Sequence, residues 1–274
     1  MAPLQRHPKD GFGSRYGDAI MYIHFLGTGA AEGIPAINCR CAHCVRARTQ
    51  GGKLIRERNA ILFSLQDYEL LVDTPPHIGE LLARHGVEHI DGIFLTHEHY
   101  DHVNGIVDFA YWGERVDLLV EQGLHQRLKR QGLLAGLKQV GFHLVCRQGV
   151  AVRFDGFFIT PFAVLHGVPC FGLAIYYEDF KVIYLSDSSV ELTHQARCLI
   201  RGADLLIANT PFFDRSGNEH LNVLDALHLK DDLGVKRLIL THINHHNRPH
   251  DELEAYVEEF ENVQVAYDGM LVKV

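Results

Sequence analysis

Short apolar runs that end in a polar residue recur along the chain from about residue 21, and they alternate with segments whose apolar residues fall at helical spacing. The apolar runs predict strands at residues 21–27, 60–65, 69–73, 92–96, 116–120, 157–164, 171–177, 181–186, 205–208, 237–241 and 263–267. The helical patterns lie at residues 76–85, 123–131, 191–201, 222–233 and 249–259. Because several strands follow one another before a helix intervenes, we expect mixed sheets covered on the outside by helices.

Residues 1–20 differ from the rest of the chain, since glycines interrupt a stretch that has no periodicity. They predict a disordered leader. Residues 21–274 contain no linker, internal repeat or low-complexity tract, so they predict a single domain. With 47% hydrophobic and 22% charged residues, the chain has the composition of a packed globular protein.

The charge balance is negative, with 26 Lys and Arg residues against 34 Asp and Glu residues and a formal net charge of -8. Such a balance disfavours binding to nucleic acid or to an anionic membrane. The N-terminus lacks the apolar segment of a secretion signal, and no apolar run approaches the length of a membrane-spanning helix. We therefore expect a cytoplasmic protein that acts on a small molecule; the sequence leaves a homodimer open.

The segment 96–102, Thr-His-Glu-His-Tyr-Asp-His, places four potential metal ligands directly after the apolar run 90–95. In an extended chain His97 and His99 point to the same side and can bind one ion. Asp101 and His102 are adjacent, so they diverge and are placed to reach a second ion. A solvated polar loop is the alternative, but this order of ligands after a buried strand rarely arises by chance.

Further polar residues follow other predicted strands, namely His166, Asp187 and His242. Taken singly, His166 suits a hydrogen-bonded loop and Asp187 a helix N-cap. Together with the first motif they give five imidazoles and two carboxylates, enough to hold two divalent ions if one carboxylate bridges. Asp73 is a further strand-end carboxylate, for which we expect either a hydrogen bond to a ligand histidine or a turn before Pro75.

Three of the six cysteines form a cluster, Cys39-Arg-Cys41-Ala-His-Cys44. Disulfide pairing would leave one thiol over, and three clustered thiols in a cytoplasmic protein favour a structural Zn²⁺ ion. The fourth ligand has to come from elsewhere, with His43, His245 and His246 as candidates. Binding by His245 would connect the cysteine cluster to the loop that carries His242.

The order of these ligands, together with Leu-Gly-Thr-Gly at residues 26–29, resembles the metallo-β-lactamase superfamily over residues 21–274. The resemblance implies an α+β fold, a four-layer αββα sandwich with a dinuclear site at one edge. It assigns His97, His99 and His166 to one ion, Asp101, His102 and His242 to the other, and Asp187 to both. It also favours His245 as the fourth ligand of the structural zinc, with Cys39, Cys41 and Cys44.

Within the superfamily the chain is similar to the phosphodiesterases of the carbon-phosphorus lyase pathway, which open a cyclic phosphate on phosphoribose. That similarity implies a dinuclear hydrolase that cleaves a small, cyclic phosphodiester by a metal-bound hydroxide. Two divalent ions, Zn²⁺ or Mn²⁺, would occupy the active site. The segment 73–76, Asp-Thr-Pro-Pro, departs from the pattern of this family, so the substrate is not fixed by the resemblance.

Two other interpretations of the same residues stay open. A protein resembling the B protein of pyrroloquinoline quinone biosynthesis would share the cysteine cluster and act as a carrier or store of metal. An RNA 3′-processing nuclease would share the seven ligands, yet no Lys- and Arg-rich insert is visible to hold RNA.

The catalytic residues predicted are Asp101, which is also a metal ligand, and His220. His220 lies before a predicted helix and is our candidate for a general acid or a phosphate-binding residue, with a plain helix-entry residue as the alternative. Lys53, Arg56 and Arg58 predict an ordinary solvated face rather than positive charge at the site entrance.

Overall fold

The computed structural model describes residues 21–137, 140–215 and 219–274. The leader expected at residues 1–20 lies outside these ranges. The described strands form two mixed sheets of seven strands each, and the polypeptide completes most of the first sheet before it enters the second.

The first sheet has the strand order β14-β1-β2-β3-β4-β5-β6. Its strands are β1 (Tyr22–Gly27), β2 (Ala60–Leu65), β3 (Tyr68–Val72), β4 (Gly92–Leu95), β5 (Val116–Glu121), β6 (Val140–Cys146) and β14 (Met270–Lys273). Strands β14, β1, β2 and β3 pair antiparallel, whereas β3, β4, β5 and β6 run parallel.

The second sheet has the order β13-β12-β11-β10-β9-β8-β7. Its strands are β7 (Val152–Arg153), β8 (Phe157–Val164), β9 (Cys170–Tyr177), β10 (Phe180–Tyr184), β11 (Leu205–Asn209), β12 (Arg237–Thr241) and β13 (Val263–Val265). Here β10 to β13 run parallel and β7 to β10 pair antiparallel. Both sheets therefore contain a parallel half, and the ends of its strands offer an edge at which loops converge.

Helices cover the outer face of each sheet. They are α1 (Ala42–Gln50), α2 (Ile78–Arg84), α3 (Tyr100–Val103), α4 (Gln122–Arg130), α5 (His194–Ile200), α6 (Val223–Asp232) and α7 (His250–Val257), with 3₁₀ helices at Gly52–Leu54 and Asn104–Tyr111. Apolar residues of α2 and α4 pack on the first sheet, and those of α5, α6 and α7 pack on the second. None of the helices in the described ranges is long and apolar enough to cross a membrane.

The alternation of side chains along each strand divides the apolar core into three layers. In β11, Leu205 and Ile207 face the core between the sheets, whereas Leu206 faces the helices. In β1, Ile23 faces the core between the sheets and Leu26 faces the other helix layer. Strands buried on both faces read as continuous apolar runs. The expected αββα sandwich is confirmed.

Candidate metal centre

The polar residues picked out from the sequence lie where strands end. Asp73 follows β3, His97 follows β4, Asp187 lies just beyond β10, and His242 follows β12. These four strands belong to the parallel halves of the two sheets, so their carboxyl ends point to one edge of the sandwich. His166 joins them from the loop after β8.

Three of the turns at this edge have left-handed backbone conformation. Asp73, Ser186 and His242 have φ angles of 64°, 59° and 58°. This region is unfavourable for residues other than glycine, least so for Asn, Asp and His. Strain of this kind persists where the surrounding structure holds it, and it clusters at functional sites. Here the left-handed conformation turns the polypeptide sharply at the end of each of these three strands.

The first candidate metal-binding group consists of His97, His99, His166 and Asp187, whose potential ligand atoms all lie within 4.8 Å of one another. The Nδ1 atom of His99 lies 3.1 Å from the Nε2 atoms of both His97 and His166. In a tetrahedral site with ligand nitrogens about 2.1 Å from the ion, neighbouring ligands are about 3.4 Å apart. The spacing therefore fits a single divalent ion.

The second group consists of Asp101, His102 and His242. The Oδ2 atom of Asp101 lies 3.3 Å from His102 Nε2 and 3.4 Å from His242 Nε2, and the two nitrogens are 3.2 Å apart. Asp101 and His102 belong to the short helix α3, so the extended backbone that we expected through this motif ends at His99. The helical turn directs the side chains of Asp101 and His102 to the same place, where one ion could bind.

Asp187 lies between the two groups. Its Oδ2 atom is 3.7 Å from His97 Nε2, 3.8 Å from His166 Nε2 and 3.6 Å from His102 Nε2. Its Oδ1 atom is 3.6 Å from His242 Nε2. A carboxylate that close to ligand atoms of both groups can bridge two ions, as the family resemblance implies.

The outer nitrogens of three ligand histidines face acceptors. His102 Nδ1 donates to Asp73 Oδ2 (2.7 Å), His166 Nδ1 to the Glu219 carbonyl (2.9 Å) and His97 Nδ1 to Thr96 Oγ1 (2.9 Å). These partners place the proton on Nδ1 and leave the Nε2 lone pair directed into the cluster. Converging lone pairs need a cation, so the donor set fits divalent metal ions.

Asp73 takes the first of the two roles expected for it. Besides the bond from His102, it accepts hydrogen bonds from the Thr96 backbone N–H (2.9 Å) and from the Thr96 hydroxyl (2.9 Å). It is fully buried. Asp73 thus orients His102 directly and supports His97 through the Thr96 hydroxyl.

Burial and neighbouring charges move the pKa values of the cluster in opposite directions. Burial, together with the adjacent imidazole of His102, lowers the pKa of His97 well below its ordinary value. Burial also opposes a charge on His102, but the Asp101 and Asp73 carboxylates outweigh it and raise the pKa of His102. Burial likewise opposes a charge on Asp187, yet His242 and His102 hold its pKa well below the usual range. The carboxylates of the pocket therefore favour a positive charge among the imidazoles.

His220 lies on the rim of this cluster. Its Nδ1 atom is 4.0 Å from Asp187 Oδ2, and its ring centroid is 4.9 Å from that of His166. Two hydrogen bonds anchor the segment on either side, from His166 to the Glu219 carbonyl and from the Leu221 N–H to the Ser188 carbonyl (2.6 Å). Burial lowers the pKa of His220. Its Nδ1 has no hydrogen-bond partner among the described residues.

The cysteine cluster converges on one histidine. The Nδ1 atom of His245 lies 3.5 Å from Cys39 Sγ and 3.6 Å from Cys41 Sγ, and Cys44 belongs to the same group. All six cysteines are unpaired, so the disulfide alternative is not realised. These distances fit a tetrahedral zinc site.

The other two candidate histidines lie elsewhere. His43 directs its Nδ1 to the His245 carbonyl, 3.3 Å away, rather than to a thiol. His246 is exposed, and its ring lies tilted beside the His245 ring, with the centroids 4.1 Å apart. Backbone N–H groups point at the sulfur atoms, from Cys44 to Cys41 Sγ (3.4 Å) and from Ala36 to Cys44 Sγ (3.3 Å). Such bonds stabilise thiolate ligands.

The basic group at residues 53–58 does not form one solvated face. Lys53 pairs with Glu254 on α7 (3.0 Å), and the Arg58 guanidinium lies 5.7 Å from the exposed ring of Tyr100. Arg56, however, is fully buried and donates to Thr28 Oγ1 and to the Ala266 carbonyl, both at 2.7 Å. For Arg56 the expectation of a solvated residue is wrong.

Sequence reasoning missed the buried polar residues behind Asp187. Asn209 Nδ2 donates to Asp187 Oδ1 at 2.7 Å, and Tyr184 lies beside it. Asn209 follows an apolar run at residues 205–208, as His242 follows the run that ends at Leu240 and Thr241. This strand-end position was the available signal.

Comparison with known families agrees with this geometry. Residues 68–243, more than half of the chain, match the family described as the beta-lactamase superfamily domain. The chain belongs to this superfamily. The resemblance inferred from the ligand order is thereby confirmed, and the fold implies divalent metal ions.

Curated relatives from several organisms are similar to the chain. An octanoyltransferase of Porphyromonas gingivalis is 22% identical over 255 residues, which cover 89% of this chain but only 50% of that protein. The chain thus corresponds to half the length of that relative. The probable metallo-hydrolase YhfI of Bacillus subtilis is 29% identical over 224 residues, 77% of this chain and 90% of the relative. A ribonuclease Z of Archaeoglobus fulgidus is 25% identical over 262 residues, 71% and 84% of the two chains.

Solved structures give the same fold. A diphosphatase from the PhnP family matches with a TM-score of 0.81 and 25% identity, over 93% of this chain and 97% of the other. The Zn²⁺-bound PqqB of Methylobacterium extorquens matches with a TM-score of 0.80 and 20% identity, over 92% and 99%. The protein is a metallo-hydrolase of the superfamily. A ribonuclease among the relatives leaves RNA open as a substrate class, against the expectation from net charge.

Proposed function

We propose that this protein is a dinuclear metal-dependent phosphodiesterase that hydrolyses a small, cyclic phosphodiester. The observation that carries the proposal is the position of Asp187, whose two oxygens lie within 4 Å of ligand nitrogens from both groups. Two divalent ions held there would lower the pKa of a shared water and neutralise the non-bridging phosphoryl oxygens.

The ligand set favours phosphoesters over acyl substrates. The position between the two groups is held by a carboxylate, a hard ligand, rather than by a thiolate. A phosphodiester offers two non-bridging oxygens to two ions, whereas a lactam or thioester carbonyl offers one. Asp101 completes the second group. Its replacement should therefore weaken chiefly the binding of the ion held by that group.

His220 would supply what the metal ions do not, a proton for the departing alkoxide. Its unpartnered Nδ1 faces the side of the cluster where Asp187 Oδ2 lies. The bonds at Glu219 and Leu221 hold the segment close to the ligands. General acid catalysis requires such a group within reach of the leaving oxygen, and it contributes roughly 10² to 10⁴-fold.

The cysteine group and His245 would bind a separate structural Zn²⁺ ion. His245 is three residues from His242, so this ion would fix the loop that supplies a ligand to the active site. A structural zinc contributes directly to the free energy of folding.

The experiment is a substrate profile of the metal-loaded protein with Asp187→Ala and a chelated sample as controls. The substrates are a five-membered cyclic phosphodiester, a linear nitrophenyl phosphodiester, a diphosphate ester, a precursor tRNA, a β-lactam and a thioester. We expect the cyclic and linear phosphodiesters to be turned over and the acyl substrates to be nearly inert. Both controls should abolish turnover.

Three outcomes would contradict the proposal. Lactam or thioester cleavage well above phosphodiester cleavage would show an acyl hydrolase. Full metal occupancy without any turnover would favour a metal carrier. Preferential cleavage of the precursor tRNA would favour the ribonuclease alternative.

A further inference from the structure

A chain of buried polar side chains runs behind the Asp187 carboxylate. Its members are Asn209, Tyr184, Asn59 and Thr241, all of them almost inaccessible to solvent. We propose that Asn209 is a positioning residue, which fixes the plane of the Asp187 carboxylate so that Oδ1 faces His242 of the second group while Oδ2 stays within reach of both groups. The inference rests on the proposed function, because it concerns how the same site keeps two ions together.

The contact between Asn209 and Asp187 is made to one particular oxygen. Asn209 Nδ2 donates to Asp187 Oδ1 at 2.7 Å, and this is the oxygen that lies 3.6 Å from His242 Nε2. The other oxygen, Oδ2, lies within 4 Å of His97 and His166 in the first group and of His102 in the second. The terminal torsion of a carboxylate is soft. A hydrogen bond to Oδ1 sets the plane of the group and prevents both oxygens from turning toward one ion.

The orientation of the Asn209 amide supports a donor role. Its nitrogen has to face Asp187, because an amide oxygen at 2.7 Å from a carboxylate oxygen would be repelled. The same nitrogen donates to Tyr184 Oη at 3.4 Å, whereas Asn209 Oδ1 has no hydrogen-bond partner among the described residues. A buried acceptor without a partner is costly. The two hydrogen bonds that Nδ2 donates, to Asp187 and to Tyr184, therefore hold the amide in place.

Asn59 holds Tyr184 from the opposite sheet, and Thr241 in turn holds Asn59. Asn59, which precedes β2 in the first sheet, donates through Nδ2 to Tyr184 Oη at 2.9 Å. Its Oδ1 accepts a bond of 2.8 Å from Thr241, the residue before His242. Asn209 and Thr241 are also paired across β11 and β12. These hydrogen bonds thus connect the end of β10, which precedes Asp187, to the end of β12, which precedes His242, and they involve both sheets.

Burial makes this link strong. Hydrogen bonds to an ionised group are stronger than those between neutral groups, and a low dielectric increases their strength further. Residues that orient metal ligands in this way typically change metal affinity by roughly 10 to 100-fold when they are replaced. The size of the effect expected for Asn209 is therefore measurable without any assay of turnover.

The test replaces Asn209 by Leu, which has a similar shape but no donor. Wild type and Asn209→Leu are stripped of metal and titrated with Zn²⁺ against a competing chelator, and Mn²⁺-loaded samples are examined by electron paramagnetic resonance for magnetic coupling between two ions. We expect one active-site ion to bind about 10 to 100-fold more weakly in Asn209→Leu. The coupled signal should weaken, while the melting temperature of the metal-free protein stays close to that of wild type.

Tyr184→Phe gives a second, milder variant, because it removes only the hydroxyl that supports Asn209. It should shift the same ion in the same direction by a smaller factor. Tyr68→Phe is the matched control, since the hydroxyl of Tyr68 is also buried, packs beside the same core and has no hydrogen-bond partner among the described residues. It should leave both ions unchanged.

Unchanged affinity for both ions in a folded Asn209→Leu protein would overturn the inference, as would a wild-type active site that binds only one ion. If Asn209→Leu does not fold, Tyr184→Phe decides: affinities and coupling equal to wild type would overturn it. A wild type that binds a coupled pair but hydrolyses no phosphodiester, with one ion weakened in Asn209→Leu, would support the role of Asn209 and refute the proposed function.

Discussion

His102 Nδ1 donates a hydrogen bond of 2.7 Å to Asp73 Oδ2, and neither side chain is accessible to solvent. The bond joins the end of β3 to the helix α3 across the parallel pair β3 and β4. It fixes the tautomer and the ring orientation of His102, which we propose as a ligand of the second ion. The aspartate is held in turn by Thr96, so its position does not depend on the metal.

Replacement of Asp73 by Asn should weaken metal binding at the second group by roughly 10 to 100-fold. One amide oxygen cannot accept all the bonds that Thr96 and His102 donate to the carboxylate. A zinc competition titration measures the effect. Asp67→Asn, at an exposed turn between β2 and β3, is the control and should bind both ions as wild type does. Wild-type affinity in Asp73→Asn would mean that His102 needs no support.

The proposed structural zinc should be separable from the proposed active-site ions. Cys39→Ser removes one of three thiolates from the group with His245, so one tightly bound Zn²⁺ should be lost while the other ions still bind. The melting temperature should fall by on the order of 10 °C. Elemental analysis and calorimetry measure both quantities.

Cys198→Ser is the matched control for this experiment. Cys198 is exposed on α5 and lies outside the cysteine group, so its replacement should change neither quantity. If Cys39→Ser keeps both its zinc content and its melting temperature, the cysteine group has no structural ion.

Much of the architecture follows from the sequence because the strands are buried on both faces. The run at residues 237–241 predicts β12 at its observed bounds, Arg237–Thr241. The short edge strands β7 and β14 escaped prediction, since Val152–Arg153 has two residues and Met270–Lys273 four, too few to show a clear pattern. Helix α1 also escaped, because Ala42–Gln50 has few apolar residues and begins at the capping residue Cys41.

The ligands were predictable for a different reason, since His, Asp and Cys at strand ends carry recognisable chemistry. Asn209 also ends a strand, but an amide is not a typical metal ligand, so only its contact with Asp187 reveals its role. Arg56 shows the opposite failure. Its charge predicted solvent exposure, but Thr28, Ala266 and His250 form a buried pocket for the guanidinium that only the tertiary structure brings together.

Asp268, which accepts a 2.6 Å bond from Thr28 in the same pocket, should give stability a distinctive pH dependence. Burial raises the pKa of Asp268 from 3.8 to about 6, although hydrogen bonds from the Glu57 N–H and from Thr28 oppose the shift. A carboxyl with a raised pKa in the folded state contributes stability that is complete below its unfolded pKa and is lost as pH rises through its folded pKa.

The free energy of unfolding of wild type, relative to Asp268→Asn, should therefore fall as pH rises from about 4 to about 7, by at most ~3 kcal/mol. Denaturant unfolding of metal-free wild type and Asp268→Asn measures this difference in the free energy of unfolding. The metal ligands are present in both proteins, so their titration cancels. A difference for Asp268→Asn that is constant, or that grows with pH, would contradict a raised pKa.

His220 should matter more for poor leaving groups than for good ones. The imidazole lies at the rim of the cluster, with its Nδ1 atom 4.0 Å from Asp187 Oδ2. A nitrophenolate leaves without protonation, whereas a ribose alkoxide needs a proton. His220→Ala should therefore cost little on the nitrophenyl ester and roughly 10² to 10⁴-fold in kcat on a ribose-type phosphodiester.

Steady-state rates on both substrates, measured at equal metal content, give the loss of activity on each. His228→Ala is the control, because His228 is an exposed residue of the neighbouring helix α6. The control should lose activity on neither substrate. Losses of equal size on both substrates, expressed mainly in KM, would assign His220 to phosphate binding instead, since an interaction made equally in the ground and transition states raises KM without lowering kcat. A loss confined to the alkoxide substrate and expressed in kcat fits only a group that acts on the leaving oxygen.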